Sequence, residues 1–278
     1  MNKYFKLVNF ELNRFIKIYI SLLAITIISQ FLGVVIKSRS YLTEAKNSMS
    51  DQSMTQTEFV EQYGKFDFSQ IMNSFWFLGP IAICAVALIF YIFLIWYRDW
   101  FGKNTFIYRL LMLPTSRLNI YLAKATAIFL MVFGLVALQI ILLPLENLLF
   151  QSLVPDVFKS VKGTRSLIQS NVALMVIIPK TFVQFLLYYG LGFTAVFILF
   201  TAILLERSYR IKGVVMGILY CLAAGAIFLS PILISAIFYN DMFFYPLELL
   251  VIETILCLII MAVSIWIGNL LINKKVNV

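Results

Sequence analysis

The chain has 278 residues, 62% of them hydrophobic and 13% charged, with a mean hydropathy of +0.94, a balance that excludes an ordinary soluble domain. It contains no histidine, which removes His-based triads, H-E-x-x-H zinc sites and imidazole proton shuttles. A net charge of +9 would suggest nucleic acid in a soluble protein, but here its placement along the chain assigns it to membrane topology, and no nucleic-acid partner is expected.

The composition predicts an all-α polytopic membrane protein with about six transmembrane helices, because only a closed hydrogen-bonding element of about 20 residues crosses a hydrocarbon core about 30 Å thick. Tyr4, Phe5, Leu7, Val8, Phe10, Leu12 and Phe15 form a roughly helical stripe, as an N-terminal interfacial helix would. The first span is read at 15–36. Its basic lead (Lys3, Lys6, Arg14, Lys17) resembles a signal peptide, but the apolar stretch is too long and no small-residue cleavage site follows, so a retained helix is expected. Residues 37–74 mix four cations and five acids with Ser, Gln, Thr and Met, and read as a small, partly helical extracellular loop.

The later spans are placed at 75–97, 122–143, 182–205, 214–238 and 249–271. Residues 172–178 are also apolar and are set off by Pro179 and Lys180, so they read either as part of the fourth span or as a short outer helix. Cys84, Cys221 and Cys257 fall within apolar stretches and read as packing residues. With both ends cytoplasmic, the inner segments hold 14 cations and three acids, against eight and ten outside. That is the bias expected of a multi-pass protein of the bacterial plasma membrane. Trp76, Trp96, Trp100 and Trp266 lie near span ends, as interfacial belts require.

Residues 98–121 form the cytoplasmic connection in which residue order carries the most information. Phe106, Ile107, Leu110 and Leu111 share one helical face, with Asn104, Tyr108 and Arg109 on or near the other, which predicts a short amphipathic helix. Pro114 should end it, and Thr115 or Ser116 can cap a third span starting near Arg117. The stretch Leu113-Pro114-Thr115-Ser116-Arg117, followed by Lys124, resembles the leucine-proline-x-serine-arginine … lysine signature of type-two membrane permeases of ATP-binding-cassette exporters. In that family an acidic residue and a Gly-Thr pair precede the signature. Here Asp99 stands where Glu is common, Lys103-Asn104 replaces Gly-Thr, and Thr105 comes one position late.

The resemblance implies that residues 1–278 form a single permease domain whose 98–121 loop is an ATPase-coupling loop. It implies coupling roles for Asp99, Lys103, Asn104, Thr105, Arg109, Leu110, Leu113, Pro114, Ser116, Arg117 and Lys124, with Arg109 and Asp99 as polar contacts to a separate ATP-binding-cassette ATPase subunit. The chain carries no G-x-x-x-x-G-K-[ST] loop. No cofactor is therefore expected on this chain, and ATP and Mg are expected on the partner. A second permease copy or paralogue and membrane lipid complete the expected partners.

Gly213, Gly217, Cys221 and Gly225 recur every four residues as a small-residue stripe, consistent with packing inside one chain or with a seam between two permease halves. Pro231 lies further along the same span, and the resemblance implies that the outer part it kinks closes the transport pathway; Glu253, ionisable near membrane depth, reads either as an interfacial or helix-paired residue or as a contact for substrate in that pathway. No catalytic or metal-ligating set is expected. The leading expectation is the transmembrane subunit of an exporter of hydrophobic or amphipathic substrates such as peptide antibiotics, drugs or lipid-like molecules. The alternatives are a non-transporting anchor or regulatory subunit and a membrane-embedded lipid-modifying enzyme, for which Glu253 has no evident partner carboxylate.

Overall fold

The computed structural model describes residues 3–101, 106–112, 114–238 and 245–274. Its helices are α1 (Lys3–Gln52), α2 (Gln56–Tyr63), α3 (Phe68–Met72), α4 (Phe75–Trp100), α5 (Phe106–Leu111), α6 (Arg117–Leu153), α7 (Thr164–Ser170), α8 (Val172–Ile177), α9 (Phe182–Tyr209), α10 (Ile211–Phe238) and α11 (Pro246–Lys274). Two short strands, β1 (Phe66–Asp67) and β2 (Lys159–Ser160), pair in parallel. The chain is all-α and polytopic: α1, α4, α6, α9, α10 and α11 are long and apolar enough to span a membrane. Within their most apolar windows only 17–33% of residues are buried. Long apolar helices that bury so few of their residues within the fold are suited to lipid as their solvent.

α1 is one uninterrupted helix of 50 residues. At 1.5 Å per residue that is about 75 Å, more than twice the hydrocarbon thickness. The segment expected to be interfacial and the first span therefore share one helix with no break near residue 15, and the helix runs on through much of the segment expected to be a loop. Proline is absent from it, so nothing in the backbone forces an end before Gln52. Residues 172–177 form α8, separate from α9, whose first turn is capped by Thr181.

The chain divides into two compact units. The first comprises Met1–Arg14, Ile89–Leu130 and Thr181–Val278. Its interior is aromatic: Trp96 meets Phe200 edge-on at 5.4 Å and Tyr121 stacks on Phe197 at 5.8 Å. Gly268 makes room for this cluster, since a Cβ there would lie 2.9 Å from the Tyr121 ring. Ser264 of α11 pins two neighbours, its carbonyl accepting from Thr201 of α9 and its hydroxyl meeting Tyr220 of α10. α9 passes into α10 through Arg210, which sits at φ +54°, a conformation that costs a non-glycine residue free energy.

The second unit comprises Phe15–Leu88 and Met131–Lys180. Val34, Phe59, Phe66, Phe68, Leu143, Phe150 and Leu167 belong to its buried core. α1 and α4 approach closely at Gly33, where a Cβ would fall 2.5 Å from Trp76 Cβ. The residues between the long helices order themselves by local chemistry. Thr55 and Glu58 form a reciprocal capping box at the start of α2, Asp67 caps α3, and Asn171 donates to Met72 O and Asn73 Oδ1.

Candidate functional site

The densest chemistry in the first unit is a buried cluster of charge. α1 presents Leu7, Val8 and Glu11 on one helical face, so a carboxylate enters an otherwise apolar stripe. The last turn of α4 supplies Arg98 and Asp99, and the second turn of α6 supplies Lys124. Glu11, Asp99 and Lys124 are all buried, Asp99 and Lys124 completely. Lys124 Nζ spends its three donors on Glu11 Oε1 (2.7 Å), Asp99 Oδ2 (2.5 Å) and the carbonyl of Ile95 (2.8 Å), and lies 5.2 Å from the Trp96 ring centroid.

Arg14 takes the other Asp99 oxygen at 2.6 Å, and Arg98 takes Glu11 Oε2 at 3.2 Å. Every carboxylate oxygen in the cluster thus has a cationic partner. An ion network of this kind is costly to desolvate but very costly to break, because removing one member strands a buried charge. Its consequence is mechanical: the start of α1, the end of α4 and the start of α6 are tied to one another.

The short helix α5 lies beside this network. Its Ile107, Leu110 and Leu111 are buried and Arg109 is exposed, which is the amphipathic division its sequence predicts. Ile107 and Leu111 face Trp96, Trp100, Ile120, Leu204 and Ile272 around a small apolar hollow. Phe106 stacks on Phe10 at 5.6 Å, and the Arg14 guanidinium stands 5.1 and 5.2 Å from those two ring centroids. The segment after α5 is also held: Lys3 Nζ donates to Pro114 O at 2.9 Å, and Arg117 Nη1 donates to Ile272 O at 2.8 Å, satisfying a carbonyl in the last turn of α11.

A second set of contacts joins the end of α9 to the end of α4. Arg207 lies 4.6 Å from the Tyr97 ring centroid, 4.8 Å from Phe101 and 5.9 Å from Trp100, while the Tyr97 hydroxyl donates to Glu206. The site is therefore a girdle in which the ends of five long helices meet around α5.

The residues singled out from sequence divide. Asp99, Arg109, Leu110, Pro114, Arg117 and Lys124 come together in or beside this site, and Ser116 lies exposed at the start of α6. Asp99, grouped with Arg109 as a polar contact for a partner, instead faces inward and is fully occupied by Arg14 and Lys124. Thr115 Oγ1 is buried without a hydrogen-bond partner among the described residues, so it does not cap α6. Lys103, Asn104, Thr105 and Leu113 lie outside the described residues.

The glycine stripe also divides. A Cβ on Gly213 would fall 2.1 Å from Leu205 O and one on Gly217 3.0 Å from Ala202 O, so both serve α9–α10 packing within the chain. Gly225 has nothing within 4 Å of that position. Cys221 is partly exposed, Pro231 is buried within a helix that continues past it to Phe238, and Glu253 lines a separate hollow against α9.

Sequence reasoning passed over Glu11, Arg14 and Arg98 as members of a site. The available signal was Glu11, an acid on the apolar face of α1. Among the described residues no group of His, Cys, Asp and Glu is placed to hold a metal ion. Comparison with protein-family models, with curated proteins and with solved structures finds no match to this chain.

Proposed function

We propose that this chain is the transmembrane subunit of an ATP-driven exporter of the bacterial plasma membrane, moving hydrophobic or amphipathic molecules with energy from a separate ATPase subunit. The observation that carries this reading is the mounting of α5. One face, with Ile107, Leu110 and Leu111, is sunk into the first unit, and the opposite side offers Arg109. A partner that pushes on α5 moves a stiff object. Its apolar face bears on α4, α6, α9 and α11 through the hollow around Ile107 and Leu111, and the ion network at its side ties α1, α4 and α6.

In this reading the 98–121 loop, both chain ends and the basic ends of the spans are cytoplasmic, and α5 is the coupling helix that docks on the ATPase. Arg109 supplies the polar contact, while Asp99 and Lys124 act through the network that keeps α5 in place. ATP and Mg belong to the ATPase, which agrees with the absence of a phosphate-cradling loop in the sequence. The spans of α10 and α11 are the least covered, with 17% of each apolar window buried, and they offer the surface on which a second permease copy or paralogue would pack.

The test is co-purification. The chain is expressed together with an ATPase encoded beside its gene and extracted in mild detergent. A stable complex whose ATP turnover depends on the permease is expected. Recovery of the chain without any ATPase, under conditions where the ATPase is folded and abundant, overturns the proposal in favour of a non-transporting membrane subunit.

A further inference from the structure

We infer that the hollow between α9, α10 and α11 is a binding site for the head of a cationic amphiphile, a primary ammonium or guanidinium group on an apolar tail, with Glu253 as its counter-ion.

The hollow has a volume of about 310 Å³, at the small end of the range of ligand pockets. Its walls are aromatic and aliphatic, with Phe185, Tyr189, Phe193, Phe228 and Met261 among them. At its rim Leu186 and Leu258 are exposed on the apolar flank of the spans, so a molecule dissolved in lipid reaches it from the side. Gly190 lines it with nothing within 4 Å of where a Cβ would lie, and the space is therefore real at that wall rather than filled by a neighbour.

Two hydroxyls at or beside the hollow bond within their own helices. Thr254 Oγ1 donates to Leu250 O at 2.8 Å, and Thr194 Oγ1, which lies 2.9 Å from Cys257 Sγ, donates to Gly190 O. Glu253 differs from them: its Oε1 is shielded and has no hydrogen-bond partner among the described residues. A carboxylate against apolar walls at membrane depth is neutralised either by a proton or by a cation brought to it.

The walls select the kind of cation. A calcium or magnesium ion requires about six oxygen ligands, and the side chains lining this hollow offer one carboxylate, a threonine hydroxyl and a tyrosine hydroxyl. An organic ammonium needs only the carboxylate and an apolar seat for its tail, and aromatic rings add a favourable face for the charge. This inference deepens the export reading, on which it rests for calling the ligand a substrate. The binding itself requires neither an ATPase nor transport.

The experiment uses the purified full-length chain in lipid nanodiscs and three twelve-carbon photoactivatable alkyl probes that differ only in a terminal amine, alcohol or carboxylate. After illumination, cross-links are mapped by mass spectrometry. The amine is expected to label peptides covering residues 185–193 and 253–261 at least about tenfold more than the alcohol, with the carboxylate at background. Glu253→Gln should bring amine labelling down to the alcohol level, and Glu253→Asp should keep part of the preference. Gly190→Phe, which fills the hollow without a clash at Cβ, should abolish both amine and alcohol labelling there.

Equal labelling by amine and alcohol in the unaltered chain would mean a lipid-filled gap only and overturns the inference. So does an amine preference that survives in Glu253→Gln. If the amine preference holds while no ATPase co-purifies, the export reading fails and the binding site stands. If an ATPase complex forms without any amine preference, the reverse is true.

Discussion

Lys124 Nζ meets Asp99 Oδ2 at 2.5 Å with neither side chain exposed, and the same ammonium holds Glu11 from another helix. Replacing Lys124 by Met leaves two buried carboxylates sharing only Arg14 and Arg98. The expected loss is about 3–5 kcal/mol, the cost of breaking a buried ion pair from one side. Changing Asp99 to Leu as well should recover part of that loss, because the double variant no longer buries that carboxylate without its ammonium partner. Thermal melting of the chain in detergent, run as a double-mutant cycle, measures it. Additive effects would show that the two residues do not cooperate.

Arg109 is exposed on α5, whereas Leu110 behind it is only 3% exposed. If α5 docks on an ATPase as proposed, the two positions separate docking from folding. Arg109→Glu should leave the melting temperature of the isolated chain nearly unchanged, as exposed substitutions do, and weaken ATPase binding tenfold or more. Leu110→Asp should destabilise the chain itself by burying a charge. A pull-down titration beside a melting curve distinguishes them, and unchanged ATPase binding by Arg109→Glu would remove α5 as the docking element.

How far the sequence reaches is visible in these same residues. The spans could be read because hydrocarbon thickness imposes one length on every apolar run, and α5 because its apolar face repeats at helical spacing. The ion network could not be read. Glu11 and Lys124 are 113 positions apart, and no local rule couples an acid in the first helix to a lysine in the third long one. The length of α1 was hidden for a different reason: residues 37–52 are polar enough to resemble a loop, yet nothing in them breaks a helix already begun. In the glycine stripe, Gly213 and Gly217 are closely packed and Gly225 is not, a division that only the positions of Leu205 and Ala202 reveal.

Gly213 and Gly225 look alike in sequence but should respond oppositely to alanine. At Gly213 the new methyl would meet the Leu205 carbonyl at 2.1 Å and Glu206 Cα at 2.8 Å, backbone atoms that cannot rotate away. Overpacking there should cost about 1–3 kcal/mol. Gly225→Ala meets no atom within 4 Å and should stabilise the isolated chain slightly, since alanine is the better helix former. If Gly225→Ala lowers stability only when the protein is assembled with a second copy, that face is in contact in the assembly.

Glu146 is fully buried on α6, between Leu143 and Phe150 of the apolar core, and neither carboxylate oxygen has a hydrogen-bond partner among the described residues. A buried polar group without a partner costs about 1–3 kcal/mol. Glu146→Leu should therefore raise the melting temperature of the chain, and Glu146→Lys should lower it. A fall in stability with leucine would show that the carboxyl makes an interaction the fold depends on.

Asp67 joins a strand end to a helix start, accepting from Ser69 N at 3.2 Å while pairing with Lys162. Burial alone would raise its pKa, but the hydrogen bonds from Lys162 and Ser69 outweigh burial and hold the carboxyl below its ordinary value. A carboxylate depressed in the folded state contributes its full stability above the unfolded pKa, near 3.8, and loses that contribution as the pH falls from there through the folded pKa. The second unit should therefore weaken below about pH 4. Asp67→Asn should be less stable than the unaltered chain at pH 6, with the difference shrinking toward pH 3. Melting curves of both proteins across that range in one detergent give the comparison, and a constant gap would mean that the Lys162 and Ser69 contacts do not depend on the charge of Asp67.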